Sequence, residues 1–415
     1  MALLYNSVSH PDNTDVRGCD TPLRIAFFGT FYPETQYAGN SSTGIVAAIS
    51  KSPRVNSVIV YAQAGAKLPP SLDSTRVNIV EAWQHNNPLS IASAMFRMIG
   101  MSACYDAYLF NTYVTAMGKS SLANVVGMLT PSIISIVTRK PVVVYLHNIV
   151  ETQDIERLGY NASIISRGVA HSLESILLNT TDVVVPLESQ RAIIEKVFRR
   201  AVHVKFLPNI EVYAFVRSPP ERDDKKYWKT DRYKVLLFGH WGPQKDLKGA
   251  LQLLREISEK EGSIEVVIAG TPNERFPNSF AELNSLKEAL EGPTFHFVGR
   301  INEEDVFGLI SSADLYFLPY NASGGYSGAM NSAALSGTKV LCYDYPQLRE
   351  TAKLMNIDAT FMKPGDPATL RKLIDENAEL SKEEERQSRV NVEEGKLATE
   401  RTVEFLAELM KFRSQ

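Results

Sequence analysis

The chain has 415 residues, 44% apolar and 22% charged, with 44 Lys and Arg against 47 Asp and Glu for a net charge of −3. That is enough apolar material for two or three domains of about 100–200 residues each, and it excludes a disordered chain, a collagen-like fibre and a coiled-coil rod. A pI near 6.2 gives no electrostatic reason to expect a nucleic-acid partner.

In chain order, residues 1–21 form a polar lead. MALLYNSVSHPDNTD turns polar after four residues and does not read as a secretory signal, so a cytoplasmic protein is expected. LRIAFFGTF (Leu23–Phe31) is then a short apolar run ending near a glycine, as a buried parallel strand requires. The same texture returns at Val55–Gln63, Tyr105–Asn111, Lys140–Asn148, Thr181–Leu187 and Val202–Asn209, with helical stretches such as Ser163–Asn179 and Ser189–Arg199 between them. Alternation of this kind predicts βαβ units and a parallel sheet over residues 22–212.

Residues 213–233, polar and carrying Pro219–Pro220 and a charge run, read as a linker. A second series over residues 234–395 has strands at Tyr233–Gly239, Ile264–Gly270, Phe295–Arg300, Ala313–Pro319, Thr338–Asp344 and Ala359–Pro364. The fold class expected is therefore α/β, two doubly wound Rossmann-like domains facing a cleft. Residues 396–415 are expected to form a helix packing back on the first domain.

Charge is uneven along the chain: residues 1–212 hold 17 basic and 15 acidic side chains, residues 213–415 the other 27 and 32. Pro88–Tyr105 has only Arg97, and Ser120–Thr138 has no charge at all. Both are long enough for a bilayer span, but Asn124, Pro131 and several Ser and Thr favour packed helices, or a face resting on a membrane or a lipid-linked substrate. The three cysteines, Cys19, Cys104 and Cys342, form no CxxC pair and no His/Cys cluster, so no metal site is expected.

Ligands of open parallel sheets sit beyond the carboxyl ends of strands, so the loops there are the candidates. Strand Tyr233–Gly239 is followed by HWGPQKDLKG, where a glycine turn brings His240, Lys245 and Lys248 to the strand end. Strand Ala313–Pro319 is followed by YNASGGYSGAMNSAALSG, a glycine-rich turn opening a short helix near Ser327. Its amides and dipole favour a diphosphate, with Tyr326, Ser327, Gly328 and Ala329 closest. In the first domain, Gly29, Gly39 and Gly44 punctuate a long loop, and His147 ends an apolar strand. No G-x-G-x-x-G follows either opening strand, which argues against NAD or FAD, and Gly118-Lys119-Ser120-Ser121 lacks the upstream glycine of a P-loop.

Together these motifs resemble the group 1 glycosyltransferases of GT-B fold, retaining enzymes that use nucleotide-diphosphate sugars. LLFGHWGPQK is similar to the family's strand, Gly-Arg turn and lysine; IAGTPN and FHFVGR resemble its following strand ends. ADLYFLPYNASGGYSGAMNSAALSGTKVL resembles its late block, while RIAFFGTFYPETQYAGN, VVYLHN and FLPNIEV resemble its first-domain motifs. Three departures stand out. The family's glutamate pair falls on Gly324 and Ser332, its arginine on His240, and the second glycine of its double-glycine loop on Asn40. The Ser327-Gly328 pair matches a subset of the family.

The resemblance implies catalytic roles for His147, Lys245 and His240. It implies a donor diphosphate held by Gly39, Asn40, Gly239, Lys245, Tyr326, Ser327, Gly328 and Ala329, and a nucleoside near Gly270, Arg300, Ile301 and Ser332. The expected partners are a nucleotide sugar and a glycan, glycolipid or polyprenyl-linked acceptor, with peripheral contact at the cytoplasmic face of the membrane and no cofactor or metal. His240, where the family has arginine, is expected to contribute only when protonated, so that activity falls as pH rises through its titration. A non-catalytic nucleotide- or sugar-binding protein, a sugar-nucleotide epimerase and a phosphorylase remain open alternatives on the same architecture.

Overall fold

The computed structural model describes residues 22–34, 39–70, 72–152, 156, 163–199, 204–206, 226–261, 264–274, 276–322 and 325–378. The polar lead, linker residues 213–225 and the segment 396–415 lie outside the described residues.

The first sheet is parallel throughout. Its strands are β1 (Leu23–Phe28), β2 (Val55–Gln63), β3 (Val77–Trp83), β4 (Ala107–Thr112), β5 (Val142–Leu146), β6 (Asp182–Val185) and β7 (Val204–Phe206), in the order 3-2-1-4-5-6-7. VVVYL of β5 is buried along its whole length, as a strand covered on both faces must be. β3 was not expected. Asn78 and Glu81 interrupt its apolar pattern, because an edge strand is covered on one side only.

Among the described residues five α-helices cover this sheet: α1 (Gly39–Lys51), α2 (Pro88–Gly100), α3 (Ser121–Thr138), α4 (Ile164–Thr180) and α5 (Glu188–Phe198). α1 packs Ile45, Val46 and Ile49 on one face with Phe27 and Val58. The others bring Ile91, Met98, Leu177 and Ile194 to the opposite face with Phe28, Tyr108 and Val144. The uncharged segments are therefore layer helices: Asn87 caps α2, Ser120 caps α3, and α3 packs between α2 and α4. Among the described residues α3 is the one helix long and apolar enough to cross a bilayer, yet Ala123, Met128, Pro131 and Ile134 are buried in this layer.

The second sheet is also parallel: β8 (Tyr233–Trp241), β9 (Ile264–Pro272), β10 (Phe295–Gly299), β11 (Leu315–Leu318), β12 (Lys339–Tyr343) and β13 (Ala359–Met362), in the order 10-9-8-11-12-13. Its helices are α6 (Leu247–Glu261), α7 (Asn278–Leu290), α8 (Glu303–Ser312), α9 (Gly328–Ser336), α10 (Pro346–Leu354) and α11 (Pro367–Ala378). α6 and α11 cover one face, and α8, α9 and α10 the other. The last linker residues already belong to this lobe, since Trp228 is buried there and its Nε1 donates to Ser312 Oγ at 2.8 Å.

Strand order reverses between β1 and β4 in one sheet and between β8 and β11 in the other. A crevice opens at such a reversal beyond the carboxyl ends of the strands. The candidate site is built from these two crevices.

Candidate active site

At the second crevice, the ends of β8 and β9 pair Gly239 with Gly270, whose φ values are 145° and 106°. A Cβ on Gly270 would overlap the Gly239 carbonyl, and one on Gly239 would overlap Lys245 Nζ. Glycine is required at both places because the strands approach closely and the lysine folds back over them. Lys245 also bridges antiparallel to Tyr320, just past β11. Its ammonium lies 5.1 Å from the Trp241 ring centroid and 5.4 Å from that of Tyr320, and it donates to Phe238 O at 3.3 Å. Among the described residues no carboxylate forms an ion pair with it. Burial brings its pKa down to about 8.

α9 begins beside this cation. Ser327 is its N-cap, with Oγ accepting from Met330 N, and Tyr320 Oη lies 3.1 Å from the same Oγ. Gly328 and Ala329 are the first two helical residues, whose N–H groups have no acceptor inside a helix. Lys245 and this helix start thus share Tyr320 as a common wall.

His240 stands exposed at the end of β8, with Nδ1 3.3 Å from Thr271 Oγ1. Partial desolvation, then the Lys245 and Arg300 cations, hold its pKa below the ordinary value against the opposing pull of Glu34 and Glu274. In the ligand-free protein this shift favours the neutral imidazole. A neutral imidazole still donates one hydrogen bond.

At the first crevice, His147 follows β5 directly and its Nε2 lies 2.7 Å from Asn111 Oδ1. Asn111 Nδ2 donates to Ser42 Oγ of α1 at 2.8 Å, so Oδ1 is the accepting end and the imidazole proton sits on Nε2. Burial takes the His147 pKa down to about 4, so this side chain is a neutral hydrogen-bonding group. Its backbone carbonyl accepts from Gln190 Nε2 at 2.9 Å. Gly39 opens α1 so close to the Glu34 carbonyl that a Cβ would overlap it. Asn40 is the second residue of that helix.

The lobes meet at this point. A Cβ on Gly325 would overlap Asn148 Oδ1 and come within 3.1 Å of His147 O, and Tyr326 is close enough to influence Tyr145 electrostatically. The structure therefore brings His147, Gly239, His240, Lys245, Gly270, Tyr326, Ser327 and Gly328 to the strand ends and helix start where the lobes meet. Arg300 is exposed past β10, near enough to act on His240. Ile301 packs half-buried against the core of α8–α10, and the buried Ser332 Oγ donates to Gly328 O at 3.3 Å, within its own helix. Gly324 lies outside the described residues. Asn111, Gln190, Trp241 and Tyr320 were not expected; for Trp241 and Tyr320 a position at a strand end was the available signal.

Residues 220–392 match the sequence profile of the family described as glycosyl transferases group 1. Comparison with curated protein sequences gave no match. Among solved structures, Anabaena HepE in complex with UDP is 16% identical with a TM-score of 0.64, covering 93% of this chain and 100% of its own. A sucrose-phosphate synthase from Thermosynechococcus elongatus is 14% identical (TM-score 0.64, covering 94% and 97%). A glycosyltransferase from Rickettsia africae is also 14% identical (TM-score 0.66, covering 94% and 99%). At these identities the structures establish a shared fold, and the sequence profile supplies the family. Residues 220–392 thus match the glycosyl transferases group 1 family, and the chain as a whole shares the GT-B fold of these structures.

Proposed function

We propose that the chain moves a sugar from a nucleotide-diphosphate donor to a glycan or lipid-linked acceptor, with retention of anomeric configuration and no cofactor or metal. The observation that carries this reading is Lys245, a desolvated ammonium with no carboxylate ion partner among the described residues, set beside the open amides of α9. An anion with two phosphates completes both. That Anabaena HepE has been crystallised with UDP and with UDP-glucose supports the same ligand class here.

The chemistry follows from charge. When the bond between the sugar C1 and the phosphate oxygen breaks, the ring becomes positive and the departing nucleoside diphosphate gains negative charge. Lys245 and the Gly328 and Ala329 amides, already oriented, stabilise that charge more in the transition state than before it. The acceptor hydroxyl attacks from the face the diphosphate leaves and passes its proton to the departing phosphate oxygen. His147, neutral and fixed by Asn111, hydrogen-bonds the sugar on the opposite lobe. His240 serves as a neutral donor.

The acceptor side is read from the first lobe. Leu89 and Phe96 on α2, Ile136 and Val137 on α3, and Ile164 and Ile165 on α4 are exposed. The only carboxylate on these three helices, Glu174, is buried. Helices that expose apolar side chains and no carboxylate of their own suit an anionic membrane face on the cytoplasmic side.

The test is incubation with UDP-, GDP- and ADP-sugars, following released nucleotide and, by NMR, the anomer first formed on slow donor hydrolysis. Release with retention is expected, and Lys245→Ala lowers the rate about 100-fold. A wild-type rate in Lys245→Ala would remove that role. Binding without release would favour a binding protein, and an isomerised sugar nucleotide an epimerase.

A further inference from the structure

We propose that Glu350 of the second lobe is a latch that closes the lobes by seating on the first turn of α5, and that Gln190 in that same turn positions His147. Both would be positioning residues rather than catalytic ones. Glu350 Oε1 accepts from Glu188 N at 2.6 Å and from Ser189 N at 3.2 Å, and its Oε2 lies 3.4 Å from Ser189 N. These are the amides a helix leaves without internal partners, and they carry the positive end of its dipole. The carboxylate that could compete on the same turn, Glu188, is drawn instead to the Arg191 guanidinium. Glu350 projects from the middle of α10, so the contact joins two rigid elements from different lobes.

The next residue along α5 ties this seating to the site. Gln190 is fully buried and donates to the His147 carbonyl, the same oxygen that Gly325 approaches from the second lobe. The His147–Asn148 turn is thus held by α5 behind and by the second lobe in front. Separation of the lobes removes Glu350 and Gly325 together, and water takes over the exposed amides. Because a charge-assisted hydrogen bond is exchanged for hydration, the latch biases closure without locking it.

The two residues should separate in kinetics. A weaker latch lowers the closed fraction, so apparent donor affinity falls while saturating donor restores the closed form. A loosened His147 loses an interaction that acts on the reacting sugar, so turnover falls. This kinetic arm rests on the donor-site reading above; the scattering arm does not.

The experiment is small-angle X-ray scattering on the ligand-free full chain, comparing wild type, Glu350→Gln and Gln190→Met, followed by kinetics with UDP-glucose. Glu350→Gln is expected to increase the radius of gyration and raise KM about tenfold with kcat kept, and Glu350→Asp to recover part of both. Gln190→Met is expected to scatter as wild type, with kcat down about tenfold and KM near wild type. Identical scattering of wild type and Glu350→Gln overturns the latch. Variants that shift only the thermal midpoint, leaving KM and kcat unmoved, overturn the positioning role. If wild type does not turn over UDP-glucose, that outcome counts against this donor, and scattering alone decides the latch.

Discussion

Lys245 is a cation that the fold strips of water and lines with aromatic rings, leaving an anion to complete its surroundings. In the free protein its pKa is about 8, below the ordinary value of 10.5, and burial is the cause. Under the proposed function the charged form is the one that binds a diphosphate. The value of kcat/KM for donor, which reports the free enzyme, should therefore fall as pH rises through about 8. A bound diphosphate favours the charged form and raises this pKa, so donor binding near pH 8.5 should take up protons, measurable by calorimetry in buffers of different ionisation enthalpy. Lys245→Met should abolish the uptake; undiminished uptake in that variant contradicts the assignment. Lys245, Gly239 and Ser327 were legible because a glycine turn and a helix cap mark strand ends in the linear order. Asn111 and Gln190 were not, since nothing local distinguishes a polar residue that grips His147 from one that faces water. The downward shift of the His240 pKa was equally hidden, because it arises from desolvation and then from Lys245 and Arg300, which only the fold brings close to it.

At the scale of elements, the ends of β8 and β9 are the most constrained. Gly270 has φ 106° and no room for a Cβ against the Gly239 carbonyl. Gly270→Ala should cost on the order of 2–3 kcal/mol from backbone strain alone, read as a lower urea midpoint. It should also move Lys245 and weaken nucleotide binding; a variant with wild-type stability would show that the glycine is not required there. Most strands were legible because parallel strands covered on both sides are unbroken apolar runs, as in VVVYL of β5. β3 escaped notice for the converse reason: an edge position tolerates Asn78 and Glu81 and removes the signal. The α9 start was readable from Gly-Tyr-Ser-Gly followed by small residues and Gly337, which adopts the left-handed conformation at its C-terminus.

At the scale of the whole molecule, two reversals of strand order face one another, and the first lobe turns a charge-poor helical layer outward. Vesicles rich in phosphatidylglycerol should co-sediment the protein at low salt. Ile165→Glu combined with Phe96→Glu should lose most of that binding, while phosphatidylcholine vesicles bind weakly throughout. Equal sedimentation of the double variant would separate this surface from any membrane role. The proposed function requires a nucleotide diphosphate to lodge between the lobes against Lys245 and the start of α9. Its most direct test is the thermal midpoint of wild type and Lys245→Ala in the presence of UDP, GDP, ADP and their sugars. A ligand at 100 times its Kd stabilises the folded form by about 2.7 kcal/mol. One nucleotide series should raise the wild-type midpoint and lose most of that rise in Lys245→Ala; no rise with any of them, or an equal rise in both proteins, would contradict the account.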